Sequence, residues 1–473
     1  MADGGRLRSD ADAIRRAALE AVEPTAAVAR RLELAGSRLV VDGADLAPPV
    51  DVAAAGRIAV VGGGKAAAGL AAGVESLLAR DGPAVTARLS GLVSVPEGSG
   101  RRLEHVEVRE TRPAAANLPT PAVVAATGEM RSLLAALGPR DLAVAVVTGG
   151  GSALMCAPRA GVTLAEKAAV ARFLAEAGAD IRAINTVRQA ASDVKAGGLA
   201  RACGAGRLLV LVISDVTGDP LETIASGPCL DVRVDAGAAL AVLDRYGAIA
   251  AGIAPGLVRL LADEPRAAVP PGAATASWTT PGGCRVDHVL LADNRTAVDA
   301  AAACARGRGY EVTVRQATPG GETDAAAAAV GARLGDEAAR LVALTRSDGR
   351  PRALIEGGEA TVQVPADHGR GGRNQQTVLA ARAALGDPAS PRAWPAGLLV
   401  ASIGTDGEDG PTDAAGGWVD AAVAAAIAEQ GLDVGRALDR CDAYPLLTAA
   451  GGLVRTGPTG TNVADLRIVL ARG

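Results

Sequence analysis

Three apolar runs, at 58–61, 142–147 and 207–213, are too short for core helices, and each passes at once into a polar loop. Longer stretches with apolar positions three and four apart lie around them. These predict helices over 10–34 (interrupted at Pro24), 66–80, 121–137, 164–177, 236–246 and 256–262, with further strands at 38–41, 85–95 and 103–108. Strands alternating with helices predict an α/β fold with a doubly wound, Rossmann-like parallel sheet. In such a sheet, ligands bind outside the carboxyl ends of the strands, where all three polar loops fall.

The stretch 263–283 is rich in Pro, Ala, Gly and Thr and lacks periodicity, so it marks a boundary. A second set of elements follows. Strands are predicted at 288–291, 311–315, 353–355, 361–364, 397–403 and 466–470, and helices at 297–305, 323–344, 374–385 and 421–430. The expectation is two domains, 1–265 and 284–473, the second a smaller α/β domain.

Composition narrows the function class. With 473 residues, 49% hydrophobic but 1% aromatic, the cores must be built from Val, Leu, Ile and Ala. A net charge of −4, with arginines dispersed, gives no nucleic-acid or anionic-membrane surface. No apolar run is long enough to span a bilayer and the first residues form no signal sequence, so the expected location is cytoplasmic. Six isolated cysteines form no CxxC pair, which favours reduced structural thiols.

Candidate chemistry gathers at the strand-to-loop junctions. Gly62-Gly63-Gly64-Lys65 follows the first strand, and the chain has only three lysines, Lys65, Lys167 and Lys195. Such a turn suits an anion, with a compact ammonium beside it. Walker spacing fails, since Ala59 and Ala66 stand where Gly and Ser or Thr are needed. Gly62, Gly64 and Ala67 fit a dinucleotide turn, but no acid follows to hold a ribose. Gly149-Gly150-Gly151-Ser152 is a second turn of the same kind, and either turn alone is equally a packing turn. Asn185, Arg188, Ser192 and Lys195 recur at helical spacing and are expected to share a face. Asp215 and Asp219 end the third strand, where carboxylates can hold Mg²⁺ or accept a proton. Arg373 and Asn374 open a helix after a glycine run. Asp406 lies in an acid-dense loop, and Thr459 in a hydroxyl-rich turn.

Taken in order, GGGKAA, TGGGSAL, INTVRQ, SDVTGD, IASGP, GGEAT, GGRNQ, GTDGEDGPTDAAG and TGPTGTNVADL resemble the glycerate 2-kinases that carry a C-terminal MOFRL domain, a family also called hydroxypyruvate reductases. The resemblance spans nearly the whole chain. It implies ATP-dependent phosphorylation of D-glycerate at its 2-hydroxyl with Mg²⁺, an active site between two domains, and Lys65 and Arg373 as the catalytic pair. On that basis Asp215 is expected to act in catalysis. Gly63, Gly64, Gly150, Gly151, Ser152, Asn185, Arg188, Lys195, Asn374 and Thr459 are expected to hold substrate or phosphate, and Asp219 and Asp406 the metal. The implied partner is a small hydroxy acid or alcohol, and a homodimer is compatible with the reading.

The departures concern the acceptor. Arg112-Pro113 and Leu118-Pro119-Thr120 stand where the family has His-Pro and Pro-Asp, and Gln189, Ala190, Ala196 and Gly198 replace Lys, His, Gly and Arg. Thr217, Pro220 and Gln376 are further changes. They leave open a kinase for a larger, sugar-like alcohol. An NAD(P)H-dependent hydroxypyruvate reductase lacks the ribose acid and a histidine-centred hydride site, and a non-catalytic binding protein would have no need of Lys65, Arg373 and Asp215.

Overall fold

The computed structural model describes residues 2–114, 118–264, 277–385 and 394–473. Most of the predicted 263–283 boundary lies outside the described residues. The chain forms two compact units, one of Pro24–Ile213 with Asp219–Leu291, the other of Met1–Glu23, Ser214–Gly218 and Ala292–Gly473.

The first unit opens with an antiparallel meander, β1 (Leu32–Ala35), β2 (Arg38–Val41) and β3 (Ala44–Asp51), of which the sequence suggested only the middle strand. Its main sheet has seven strands, β4 (Ile58–Gly63), β5 (Leu89–Pro96), β6 (Val106–Arg112), β7 (Leu142–Thr148), β8 (Arg207–Ile213), β9 (Ser277–Thr279) and β10 (Arg285–Ala292), in the order β6-β5-β4-β7-β8-β10-β9. Strands β4 to β8 pair in parallel, and every residue of β4, β7 and β8 is buried. That burial on both faces is why these strands read as unbroken apolar runs. The chain winds from β4 out to β6, then returns to the other side of β4 as β7. The carboxyl ends of β4 and β7 therefore flank the point where strand order reverses, the usual ligand position in an open α/β sheet.

Two local expectations change. The run at 85–95 is not one strand, because Pro83 starts a helical turn, Pro83–Thr86, before β5. The strand expected at 288–291 begins at Arg285 and joins the first unit's sheet beside β8. There Arg285 N donates to Gly206 O at 3.1 Å, and Arg207 pairs with Asp287 at 2.7 Å.

The second unit holds a six-stranded sheet of β11 (Glu311–Arg315), β12 (Arg352–Gly358), β13 (Leu398–Gly404), β14 (Gly416–Val419), β15 (Leu453–Val454) and β16 (Asp465–Ala471), in the order β11-β12-β16-β13-β14-β15. Only β11 and β12 run parallel; β16 is antiparallel to both its neighbours. The stretch 361–364 is not a strand, and pairs only through a bridge at Thr361. The helices Ala327–Asp348 and Arg373–Leu385 pack against each other through a core that includes Val330, Leu334, Val378 and Leu379.

The N-terminal helix Ala2–Ala21 also belongs to the second unit. It buries Leu7, Ala11, Ile14 and Ala18 and packs on the helix Asn294–Gly307. Buried Asp10 accepts hydrogen bonds from Arg308 and, at 2.7 Å, from Tyr310 Oη; Asp420 accepts from Arg8 Nε at 2.6 Å. The units thus part differently from the expected 1–265 and 284–473, because the first helix finds its apolar and ionic partners late in the chain. No helix among the described residues is long and apolar enough to cross a membrane.

A buried ion cluster ties the second sheet together. Glu356 on β12 faces Arg467 on β16 at 2.8 Å, and also accepts from Arg333 at 2.7 Å and Arg315 at 3.0 Å. Burial alone would raise the Glu356 carboxyl, but Arg333 and Arg467 hold it below the ordinary range. Breaking a buried pair strands the partner charge. Glu356→Gln should therefore cost about 3–5 kcal/mol, read as a lower urea midpoint at unchanged slope.

Candidate active site

In the first unit the site begins at the turn after β4. Gly64 has φ +144°, and a Cβ there would lie 2.0 Å from Thr148 Oγ1, so only glycine fits. The close approach lets the ends of β4 and β7 bond directly. Lys65 N donates to Gly149 O at 2.9 Å, Ala66 N to Thr148 Oγ1 at 3.2 Å, and Gly64 N to Ser94 O at 3.1 Å. The first turn therefore spends its N–H groups on the protein, not on an anion. Its contribution is to set the Lys65 side chain.

The second turn keeps its donors. Gly150 has φ +76° and starts the short helix Gly151–Leu154, and among the described residues no protein acceptor takes the N–H groups of Gly150, Gly151 or Ser152. Lys65 Cγ and Arg112 Nη2 both lie 3.6 Å from the place a Gly150 Cβ would take. Two cationic side chains thus bracket a turn with outward donors, an arrangement suited to phosphate or carboxylate oxygens. Arg112 is only 2% exposed, and its Nη1 donates to Pro113 O and Ala114 O at 3.0 and 3.1 Å. The sequence showed this residue as a family departure, not as a site group.

Beneath the turn, buried polar residues hold it in place. Ser152 Oγ and Ser226 Oγ are 3.0 Å apart, and Ser226 Oγ donates to Asn185 Oδ1 at 3.2 Å. Lys195 Nζ donates to Ala225 O at 2.8 Å and reaches Gly151 O at 3.5 Å. Its ammonium is 4% exposed, and burial pushes it down to about 7. Asn185 and Lys195 thus support Gly151 and Ser152 from below. The shared helical face expected for 185–195 does not form, because the helix Ile181–Ala190 ends before Ser192, whose hydroxyl donates to Ala157 O. Arg188 lies on that helix, its guanidinium pushed down by burial.

In the second unit the site centres on Arg373, first residue of the helix Arg373–Leu385. Its Nε and Nη2 donate to the wholly buried Asp465 carboxylate at 2.8 and 2.9 Å, and Nη2 lies 3.4 Å from Glu359 Oε1. Glu359 keeps 46% of its side chain exposed, yet its carboxyl is pushed up to about 7. Lost hydration is the largest cause, with Asp465, Asp215 and Asp324 adding to it and Arg373 opposing it. Asp215 Oδ2 accepts from Asn462 Nδ2 at 3.0 Å. Glu359, Asp465 and Asn462 are site groups that sequence reasoning did not single out, although each lies within a motif it quoted.

Two sets of expected site groups are engaged within the protein. Asn374 is 1% exposed and fully spent: Nδ2 donates to Asp465 at 2.9 Å, and Oδ1 accepts from Ser402 Oγ. It braces Asp465. The acid-dense loop is also engaged within the protein. Buried Asp409 accepts from Asn374 N and Gln375 N at 3.0 and 2.9 Å, capping the helix, and burial pushes it up to about 6. Asp406 accepts from Glu408 N at 3.0 Å, and Thr459 Oγ1 donates to Thr405 O at 2.6 Å. Asp219, in the first unit, has φ +53°. Among the described residues no group of three or more His, Cys, Asp or Glu side chains is arranged to hold a metal ion.

Comparison with known proteins agrees with this two-part chain. Residues 10–261 match the domain of unknown function DUF4147, and residues 352–465 match the MOFRL family. A glycerate 2-kinase of Pyrococcus horikoshii is 32% identical over 96% of this chain and 94% of its own. A putative hydroxypyruvate reductase of Agrobacterium vitis is 35% identical over 88% of this chain and 99% of its own. The crystal structure of a glycerate kinase from Thermotoga maritima superposes with a TM-score of 0.75 at 30% identity, over 99% of this chain and 100% of that one.

The buried Lys195 gives a pH test. Above about pH 7 the folded chain carries this amine neutral, while the unfolded chain stays protonated to its ordinary 10.5. The unfolded state then binds the extra proton, so stability rises with pH across that window, by roughly 1.4 kcal/mol per unit. In Lys195→Met this contribution to the slope should vanish, as measured by urea denaturation from pH 7 to 10.

Proposed function

The chain belongs to the family that joins a DUF4147 domain to a MOFRL domain, and we propose that it is a glycerate 2-kinase, transferring the terminal phosphoryl group of ATP to the 2-hydroxyl of D-glycerate. The observation that carries this reading is the Gly150 turn. Its outward N–H groups lie between Lys65 and Arg112, at the sheet's reversal point.

Phosphoryl transfer needs cations on the transferring oxygens, an oriented hydroxyl and a base near it. Lys65 and the Gly150–Ser152 donors neutralise phosphate oxygens. Arg373, held by Asp465 so that its remaining edge stays available, supplies a second cation for the phosphoryl group or the glycerate carboxylate. Glu359 takes the hydroxyl proton, and its value of about 7 suits a base working at neutral pH.

Mg²⁺ fits best as a passenger on the nucleotide's phosphates, since it commonly needs only one or two protein carboxylates besides them. Asp215, oriented by Asn462, is the first choice for that role, with Asp219 and Asp406 as further candidates. The bound ion would neutralise charge on the phosphate oxygens. A cytoplasmic location accords with this metabolic role. Neither a reductase nor a kinase of larger alcohols gains a specific structural observation here.

Phosphorus NMR of the chain with ATP, Mg²⁺ and D-glycerate should show 2-phosphoglycerate. Product from sugar acids but none from glycerate would replace the acceptor, and NADPH oxidation by hydroxypyruvate would revive the reductase. Lys65→Ala should lower kcat by about 10²–10³ without loss of fold, and Arg373→Ala should lower it comparably while also lowering the urea midpoint, because it strands the buried Asp465 carboxylate. For Glu359→Gln the sign is set by its role as base. Wild-type kcat falls as pH drops below about 7 and Glu359 protonates, whereas the variant should be slow throughout and lack that acidic limb.

A further inference from the structure

We infer that the first unit carries a second anion site, separate from the Gly150 turn and built for a small ligand with two or more phosphate or carboxylate groups. A cavity of about 620 Å³ opens beside the segment 189–202, lined by Arg131, Arg159, Arg201 and Arg233. That volume matches a small-molecule site. Among the described residues the acids lining it are Asp193 and Glu264, so the four arginines leave two positive charges in excess, with the Lys195 amine beside them.

The acids do not satisfy the guanidinium groups. Glu264 is taken by Arg159. Asp193 stands 4.0 Å from both Arg131 and Arg159, too far for a hydrogen bond. Arg131 Nε is buried without a hydrogen-bond partner, and no described residue accepts from the Arg233 guanidinium. Burial pushes the Arg201 guanidinium down, the cost of holding a cation there, while Asp231 opposes it. Gln189 supplies a neutral donor at the wall. Spare, forked donors converging on a concave surface suit bidentate recognition of carboxylate or phosphate, and a ligand with two such groups can engage opposite walls.

The cavity also has a route to the catalytic turn. Lys195 lines it, and the same residue's Nζ holds Ala225 O and Gly151 O. An occupant that draws on Lys195 would alter the support of Gly151, so this site is placed to modulate the turn without touching substrate.

The test is calorimetric titration of the full chain, at constant ionic strength, with pyrophosphate, citrate, inorganic phosphate and acetate. Pyrophosphate or citrate should bind at one site at least tenfold more tightly than acetate. Preference for pyrophosphate identifies a phosphorylated ligand, preference for citrate a polycarboxylate, and equal binding a site reading charge alone; each supports the site. The double variant Arg131→Gln/Arg233→Gln should weaken that binding at least tenfold, and the exposed Arg233→Gln alone at least threefold should the double variant fold poorly. Lys65→Ala should retain this site's binding while losing any phosphate binding at the Gly150 turn. No binding, equal weak binding of all four anions, or binding lost in Lys65→Ala and kept in the arginine variants would overturn the proposal. None of these outcomes depends on kinase activity, so the glycerate kinase reading stands or falls separately.

Discussion

Asp465 is wholly buried and ionic, and the second unit is arranged to make that tolerable. An unpaired carboxylate there would cost several kcal/mol. Arg373 supplies two hydrogen bonds and Asn374 another, while Arg467 lies 3.9 Å away and connects to Glu356, itself ringed by Arg315 and Arg333. The chain of alternating charges runs from the core of the sheet to Arg373. This continuity explains why Arg373 has a fixed position even though it opens a helix after a glycine-rich loop. It also bears on Glu359: lost hydration raises its affinity for protons, and Arg373, which opposes that shift, is shared with Asp465.

The first unit solves the opposite problem. It must leave donors unsatisfied at the Gly150 turn, which is affordable only where the surrounding backbone is fully bonded. The Gly62–Lys65 turn meets that condition by stitching β4 to β7 and to β5, and the Ser226–Asn185 and Lys195 contacts hold the turn from below. Residues at unusual φ gather in the same support, with Ala196 at +48°, Ala225 at +50° and Ser226 at +61°. Such conformations persist only where neighbours over-determine them, and here Ala225 turns its carbonyl to Lys195 while Ser226 O accepts from Ala196 N.

Much of this was legible along the chain. The apolar runs of β4, β7 and β8 announced a parallel sheet, and their polar ends located Lys65, Gly150 and Asp215. What stayed hidden depends on partners remote in sequence. Asp465 reads as a residue near a strand start until Arg373, 92 positions earlier, is seen on it. Asn374 reads as a ligand group because nothing local reveals that Asp465 and Ser402 consume it. The N-terminal helix joined the second unit for the same reason, since Asp10 meets Arg308 and Tyr310 only in three dimensions. The strand at 285–292 was assigned to the wrong neighbours because a compositional boundary precedes it, whereas sheet membership is decided by backbone pairing with β8.

The scarcity of lysine is the subtlest case. Rarity draws attention to Lys65 beside its glycine turn and to Lys195 in the polar segment after 185. Lys167 and Lys195 have another explanation. Lys167 Nζ donates to Ala191 O at 3.1 Å from a half-buried position, and Lys195 Nζ to Ala225 O at 2.8 Å from a buried one. A compact ammonium on a flexible stem can reach an isolated carbonyl in a narrow interior, where a planar guanidinium would bring donors it could not satisfy. Lysine therefore meets two different demands within one unit: at the turn after β4 the charge that the proposed phosphate site calls for, and beneath the Gly150 turn a small head that reaches one carbonyl. Rarity of a residue type points to a physical demand that the common alternative cannot meet, and only the partners of each side chain reveal which demand it is.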